Sequence, residues 1–124
     1  MSQEFTGRED KLRMIQEYVP GKQITIAHVI ANPDDTLYRE VGLKEKSENH
    51  RSAIGIITMT PGEAAIIAGD IALKTSGVTL GFIDRVTGTL IVTGTVSEVE
   101  ASLNAITTFS EDKLGFSVCP ITRT

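Results

Sequence analysis

The chain has 124 residues, of which 40% are hydrophobic, 23% charged and 5% aromatic, enough for one domain with a core of its own. Twelve Lys and Arg against sixteen Asp and Glu leave a net charge of −4 with no basic stripe, which disfavours a nucleic-acid module and a surface built for anionic lipid. The single cysteine excludes an intrachain disulfide and a multi-cysteine zinc site, and fits a reducing compartment.

The first stretch, MSQEFTGREDKLRM, is charged and lacks the apolar centre of a signal peptide. No apolar run approaches the ~20 residues that span a bilayer. A soluble, cytoplasmic domain is expected. Leu12 to Val19 follows, with apolar Met14, Ile15, Tyr18 and Val19 but no clean period. It fits either a strand or a helical turn, and such a segment is stable only when something else covers it.

Lys22 to Ile30 alternates as a strand does, with Ile24, Ile26, His28 and Ile30 on one face and Thr25, Ala27 and Val29 on the other. Asn32-Pro33-Asp34-Asp35 predicts a helix start with Asn32 as N-cap and Pro33 in the first turn. Gly42 offers a left-handed stop, so this helix is short. Lys44 to Arg51 is a polar loop.

Ala53 to Thr60, AIGIITMT, is a continuous apolar run of strand length, the pattern of a strand covered on both faces. Thr60-Pro61-Gly62-Glu63 predicts a capping box opening a helix to about Lys74, with Gly77 ending it. The apolar residues of that helix are mostly small (Ala64, Ala65, Ala68, Ala72, beside Ile67 and Ile71), which lets it lie close against a sheet. Val78 to Asp84 and Thr89 to Thr95 predict two strands joined through Arg85-Val86-Thr87-Gly88, whose glycine supplies a positive φ. Ser97-Glu98-Val99-Glu100 predicts a second capping box, with Val99, Leu103 and Ile106 on one helical face. After Gly115, Phe116 to Ile121 reads as a last strand. From Ala53 onward the order is strand, helix, strand, strand, helix, strand: an α+β, ferredoxin-like pattern with an antiparallel sheet.

Enzyme signatures are scarce. The chain lacks a Gly-x-Ser-x-Gly elbow, a phosphate loop, a His-Glu-x-x-His pair and paired metal cysteines. His28 is a candidate base, but a hydrogen-bonded structural histidine is the stronger reading; His50 lies in a polar loop. Cys119 alone makes no site, and only several copies converging around a symmetry axis would hold a metal or iron–sulfur cluster. Its plain reading is a small, partly buried strand residue. Asp84 and Arg85 read as a solvated hairpin tip, and Lys74 as a cation suited to the negative end of its helix. No catalytic residue, metal or cofactor is expected.

Met14 to Gln23 (MIQEYVPGKQ) and Ala27 to Pro33 (AHVIANP) resemble the circularly permuted bacterial microcompartment (BMC) shell proteins of propanediol- and ethanolamine-utilising organelles. Ala53 to Ile56, Ile67 to Lys74, Gly81 to Arg85 and the ending Ile121 to Thr124 continue the likeness. The resemblance covers nearly everything from Leu12 onward; the first ten or so residues and the loop Lys44 to Arg51 stand outside it. It implies a BMC domain in residues 21–124 and an N-terminal extension in residues 1–20. It also implies a homohexamer that tiles edge to edge, with other shell proteins, into an organelle shell in the bacterial cytoplasm. Carried over by position, Asp84, Arg85, Val86, Thr87, Gly88 and Thr89 match the loop around the central pore, and Lys74 matches the lysine at contacts between hexamers. Met14, Ile15, Gln16, Glu17, Tyr18 and Val19 match the strand that, six times over, builds a small β-barrel capping the pore. Such a strand gains its partners through symmetry. The barrel's outer surface is a place where an encapsulated enzyme or its targeting helix would dock.

Unpermuted members end their tail strand in a Pro-Arg-Pro-like motif, whereas the corresponding stretch here reads Ile30-Ala31-Asn32-Pro33, without arginine. Gln23–Ile30 and Phe116–Ile121 both fit the last strand position; permutation gives it to the first and makes the second an added edge or tail. Two rival readings use the same fold: an oligomeric small-molecule sensor with ligand at a subunit interface, and an enzyme with its active site at such an interface and His28 and Asp84 as acid and base.

Overall fold

The computed structural model describes residues 21–43 and 53–124, and these form one five-stranded sheet with two long helices on one face and a short helix on the other. In chain order the elements are β1 (Gln23–Ile30), α1 (Asp35–Glu40), β2 (Ala53–Thr60), α2 (Ala64–Thr75), β3 (Thr79–Asp84), β4 (Thr89–Gly94), α3 (Val96–Leu114) and β5 (Thr122–Arg123). The sheet order is β3-β4-β2-β1-β5, antiparallel except for the parallel pairing of β1 with β5.

The order places β1 beside β2, where a ferredoxin-like sheet carries its final strand. Residues ahead of the βαββα run thus complete its sheet. Phe116–Ile121 is not a strand; its backbone pairs with β1 at a single bridge, between Ser117 and Gln23, and Thr122–Arg123 makes the short added edge. The reason is that the antiparallel edge of β2 is already occupied by β1, from Gln23 opposite Thr60 to Ile30 opposite Ile54.

Strand β1 also corrects the expected division of its faces. A register irregularity between Ile24 and Ile26 shifts the alternation. Ile24 therefore joins Ala27 and Val29 in the core under α2 and α3, while Ile26 is left 48% exposed on the opposite face. Strand β2 is covered on both sides, as its unbroken apolar run predicts: Ala53, Ile57 and Met59 face the helices, and Ile54 packs under Tyr38 of α1 with Leu43.

The small residues of α2 act as expected. Ala64, Ala65, Ala68, Gly69 and Ala72 are buried, which brings the helix backbone close to the sheet. Gly55 gives the same service to α3: a Cβ there would stand 2.6 Å from Val99 Cγ1. Where the two helices meet, Ser76 Oγ lies 2.9 Å from Ser102 Oγ and 3.0 Å from the Glu98 carbonyl oxygen, to which it donates.

All three helix starts differ from their sequence expectation. Asp34, not Asn32, caps α1, its Oδ1 accepting the Thr36 amide at 2.8 Å. The predicted Thr60–Glu63 box does not form. Helix α2 opens at Ala64 with no side-chain cap, because the amides of Ala64, Ala65 and Ile66 already reach the carbonyls of Pro61, Gly62 and Glu63. Helix α3 does open on a capping box, but Thr95 and Glu98 make it, two residues before the expected Ser97 and Glu100. Val99, Leu103 and Ile106 form its buried face, and Gly115 at φ +74° closes it.

Candidate functional site: hairpin, helix end and tail clasp

The residues matched to a pore loop sit on the turn between β3 and β4. The Asp84 carboxylate is the organiser of this turn: Oδ1 accepts the Val86 amide at 2.9 Å and Oδ2 accepts the Thr87 hydroxyl at 3.0 Å. Having donated its proton to Asp84, Thr87 Oγ1 accepts that of Thr89 at 3.0 Å. The Gly88 amide donates to the Asp84 carbonyl at 2.8 Å. These donors, the Val86 amide foremost and the Thr87 hydroxyl next, hold the Asp84 carboxyl below the usual aspartate range. The tip presents Arg85, Val86 and Thr87 to its surroundings, Val86 being 83% exposed.

The turn is seated against the start of α2. Gly62 and Gly88 are both pressed onto backbone there: a Cβ on Gly62 would overlap the Arg85 carbonyl oxygen, and one on Gly88 the Met59 carbonyl oxygen. Gly62 is a contributor that the sequence pattern reads only as part of a cap. Lys74 lies in the last turn of α2, where its ammonium meets Asp70 at 2.9 Å, with the two side chains 75% and 59% exposed. An exposed i,i+4 pair of this kind is worth about 0.3–0.5 kcal/mol, so it leaves Lys74 available. Helix α2 thus runs from the hairpin at one end to Lys74 at the other.

His28 takes the structural role. Its Nδ1 lies 2.6 Å from Thr122 Oγ1 and its Nε2 2.9 Å from Thr124 Oγ1, so both ring nitrogens are engaged by the C-terminal tail. Backbone bonds from Thr124 N to Val29 O and from Ala31 N to Thr124 O, each 2.9 Å, complete the clasp. Arg123 points the other way, to Glu100 on α3 at 2.9 Å. The partners lie more than ninety residues apart in the chain, and no local spacing announces them. Within one chain His28 and Asp84 are too far apart to work as an acid–base pair: β2 and β4 separate their strands, three spacings of about 4.8 Å, or roughly 14 Å.

Cys119 is a free, half-buried thiol packed at the margin of the core. Among the described residues, no group of three metal-ligating side chains converges, and no helix is long and apolar enough to cross a membrane. A cavity of about 270 Å³ opens beside α1, lined by Gly42, Leu43, Thr79, Leu80, Gly81 and Thr93; it holds none of the residues singled out above. Met14 to Val19 and His50 lie outside the described residues.

This sheet and hairpin define a class. Residues 53–122 match the BMC domain, and the chain belongs to the BMC-domain shell proteins. It is 53% identical over 112 residues to the bacterial microcompartment shell protein PduU of Salmonella typhimurium, covering 90% of this chain and 93% of that protein. With the shell protein EutS of Escherichia coli it shares 45% identity over 114 residues, 92% of this chain and 98% of EutS. A chain of the CutR flat hexamer superposes with a TM-score of 0.79 at 39% identity, covering 100% of this chain and 98% of that one. The role of the chain is that of a structural shell subunit rather than a catalyst. That membership, and not the fold alone, decides against the sensor and enzyme readings.

Proposed function

We propose that six copies of this chain close into a ring and that the rings tile, with other shell proteins, into the wall of a microcompartment in the bacterial cytoplasm. The supporting observation is the path of α2, which starts against the hairpin of Asp84 to Thr89 and ends at Lys74. On this reading the hairpin lies at the axis of the disc and the lysine at its rim. The chain is read as a circular permutant because β1, at the N-terminal side, occupies the last strand position of the sheet. On this reading Met14 to Val19 form one strand of a six-stranded barrel over the axis, too narrow to pass metabolites freely. Its outer wall is the docking place for an encapsulated enzyme or a targeting helix.

Light scattering and electron microscopy of concentrated protein test the wall. A hexameric mass with sheets or tubes is expected, and Lys74→Ala abolishes the sheets while keeping the hexamers. A monomer or trimer at every concentration ends the reading. Removal of residues 1–19 tests the cap: hexamers persist and cargo capture falls, whereas unchanged capture removes the docking role.

A further inference from the structure

We infer that the cavity between the end of α1 and the start of β3 binds a small neutral molecule with a short apolar body and a hydroxyl group. The site lies within one chain, so it does not depend on ring formation and differs from a sensor site shared between subunits. Thr79 stands opposite Thr93, and Thr93 opposite Ile54, which puts the three in one row across the sheet and on one face. Tyr38 and Leu43 pack with Ile54 on that face. Helix α1 has only six residues, with Tyr38 its one buried side chain, and a cavity of about 270 Å³ stays open beside it at Thr79 and Thr93. Leu43 forms the wall on the α1 side. It is buried, and its Cδ2 lies 2.7 Å from where a Cβ on Gly81 would stand, so the bare glycine backbone is what lets this wall settle against β3.

The lining names the class of ligand. Leu43 and Leu80 are apolar, Thr79 and Thr93 bring hydroxyls that both donate and accept, and no lining residue is charged. An ion there would give up hydration without meeting a counter-charge, whereas a short alcohol sets its chain against the leucines and its hydroxyl among the threonines. The volume falls below the roughly 300–1,000 Å³ of pockets for larger ligands, so the occupant is small. The side-chain cluster of Leu43 adds a second sign: the Tyr38 hydroxyl is buried and has no hydrogen-bond partner among the described residues. Buried hydroxyls are nearly always bonded, and an unused one packed with a wall of the cavity marks a place where a polar guest belongs.

The test uses the full chain, titrated with 1-butanol and followed through its leucine methyl groups by NMR. Saturable shifts at Leu43 and Leu80 are expected, with a midpoint in roughly the millimolar range that suits so few contact atoms. Butyrate and butylammonium, of the same length but charged, should shift neither residue. Thr93→Val keeps the side-chain shape and removes the hydroxyl, and is expected to raise the midpoint roughly fivefold, the worth of one hydrogen bond. If circular dichroism shows that this variant does not fold, Thr79→Val takes its place with the same expectation. Shifts that grow linearly to the solubility limit, or that spread evenly over all leucines, overturn the inference. So does equal binding of either charged probe, or an unchanged midpoint in the folded valine variant.

Discussion

The Gly88 carbonyl accepts the Met59 amide at 2.8 Å, and with φ at +80° the Gly88 Cα faces the Met59 carbonyl so closely that a Cβ has no room. This pair locks the hairpin to the end of β2. Two costs therefore stack at one position: a left-handed backbone, about 1–2 kcal/mol for a residue with a side chain, and an overlap with backbone that cannot rotate away. Gly88→Ala is expected to destabilise the fold by about 2 kcal/mol or more, seen as a lowered denaturation midpoint with an unchanged m-value. A loss below about 0.5 kcal/mol would show that the hairpin lifts off its seat freely.

Asp84 makes the hairpin sensitive to acid. Its folded pKa is depressed, so its contribution is fully present above the ordinary value of 3.8 and is lost as pH falls through the lower folded value. A carboxyl titration followed by NMR should place Asp84 below the ordinary value of 3.8. The Val86 amide should lose its protection in the same pH window. In Asp84→Asn the amide oxygen still accepts from Val86 but the NH₂ cannot accept from Thr87, and the acid dependence of the Val86 amide disappears.

Tyr38 is fully buried between α1 and the sheet, and its hydroxyl has no hydrogen-bond partner among the described residues. An unsatisfied buried hydroxyl costs about 1–3 kcal/mol. Tyr38→Phe keeps the ring and removes the cost, so its unfolding midpoint is expected to equal or exceed the wild type. Tyr38→Ala removes the ring from its place with Leu43 and Ile54 and should cost about 3–5 kcal/mol. A Tyr38→Phe variant clearly less stable than wild type would mean that the hydroxyl is bonded.

His28→Ala takes away both side-chain bonds of the tail clasp. Two exposed hydrogen bonds at about 0.5–1 kcal/mol each set the scale. Hydrogen exchange should speed up at the Thr124 amide and leave the amides of β2 unchanged, because Arg123 and Glu100 still hold the other side of the tail. Equal loss of protection throughout the sheet would make His28 part of the core instead of a clasp.

Much of this molecule is legible from residue order. The unbroken apolar run of Ala53 to Thr60 announces a strand buried on both faces, and it is one. The spacing of Val99, Leu103 and Ile106 gives the buried face of α3, and the glycine of Arg85 to Gly88 gives the hairpin. The likeness of specific segments to shell proteins points to the family. Periodicity reports a local choice between two burial patterns, which is why these assignments need no tertiary information.

The remainder was decided by partners distant in sequence. Ile24 and Ile26 differ in burial because an irregularity in pairing with β2 shifts their faces, and alternation along one strand carries no sign of it. Gln23–Ile30 and Phe116–Ile121 both read as candidates for one edge of β2; the likeness to permuted shell proteins favours the first, and its pairing along β2 decides it. His28 finds Thr122 and Thr124, and Gly62 finds Arg85, through the closing of the sheet. Their roles come into being with the fold, since the groups that define them are brought together only then.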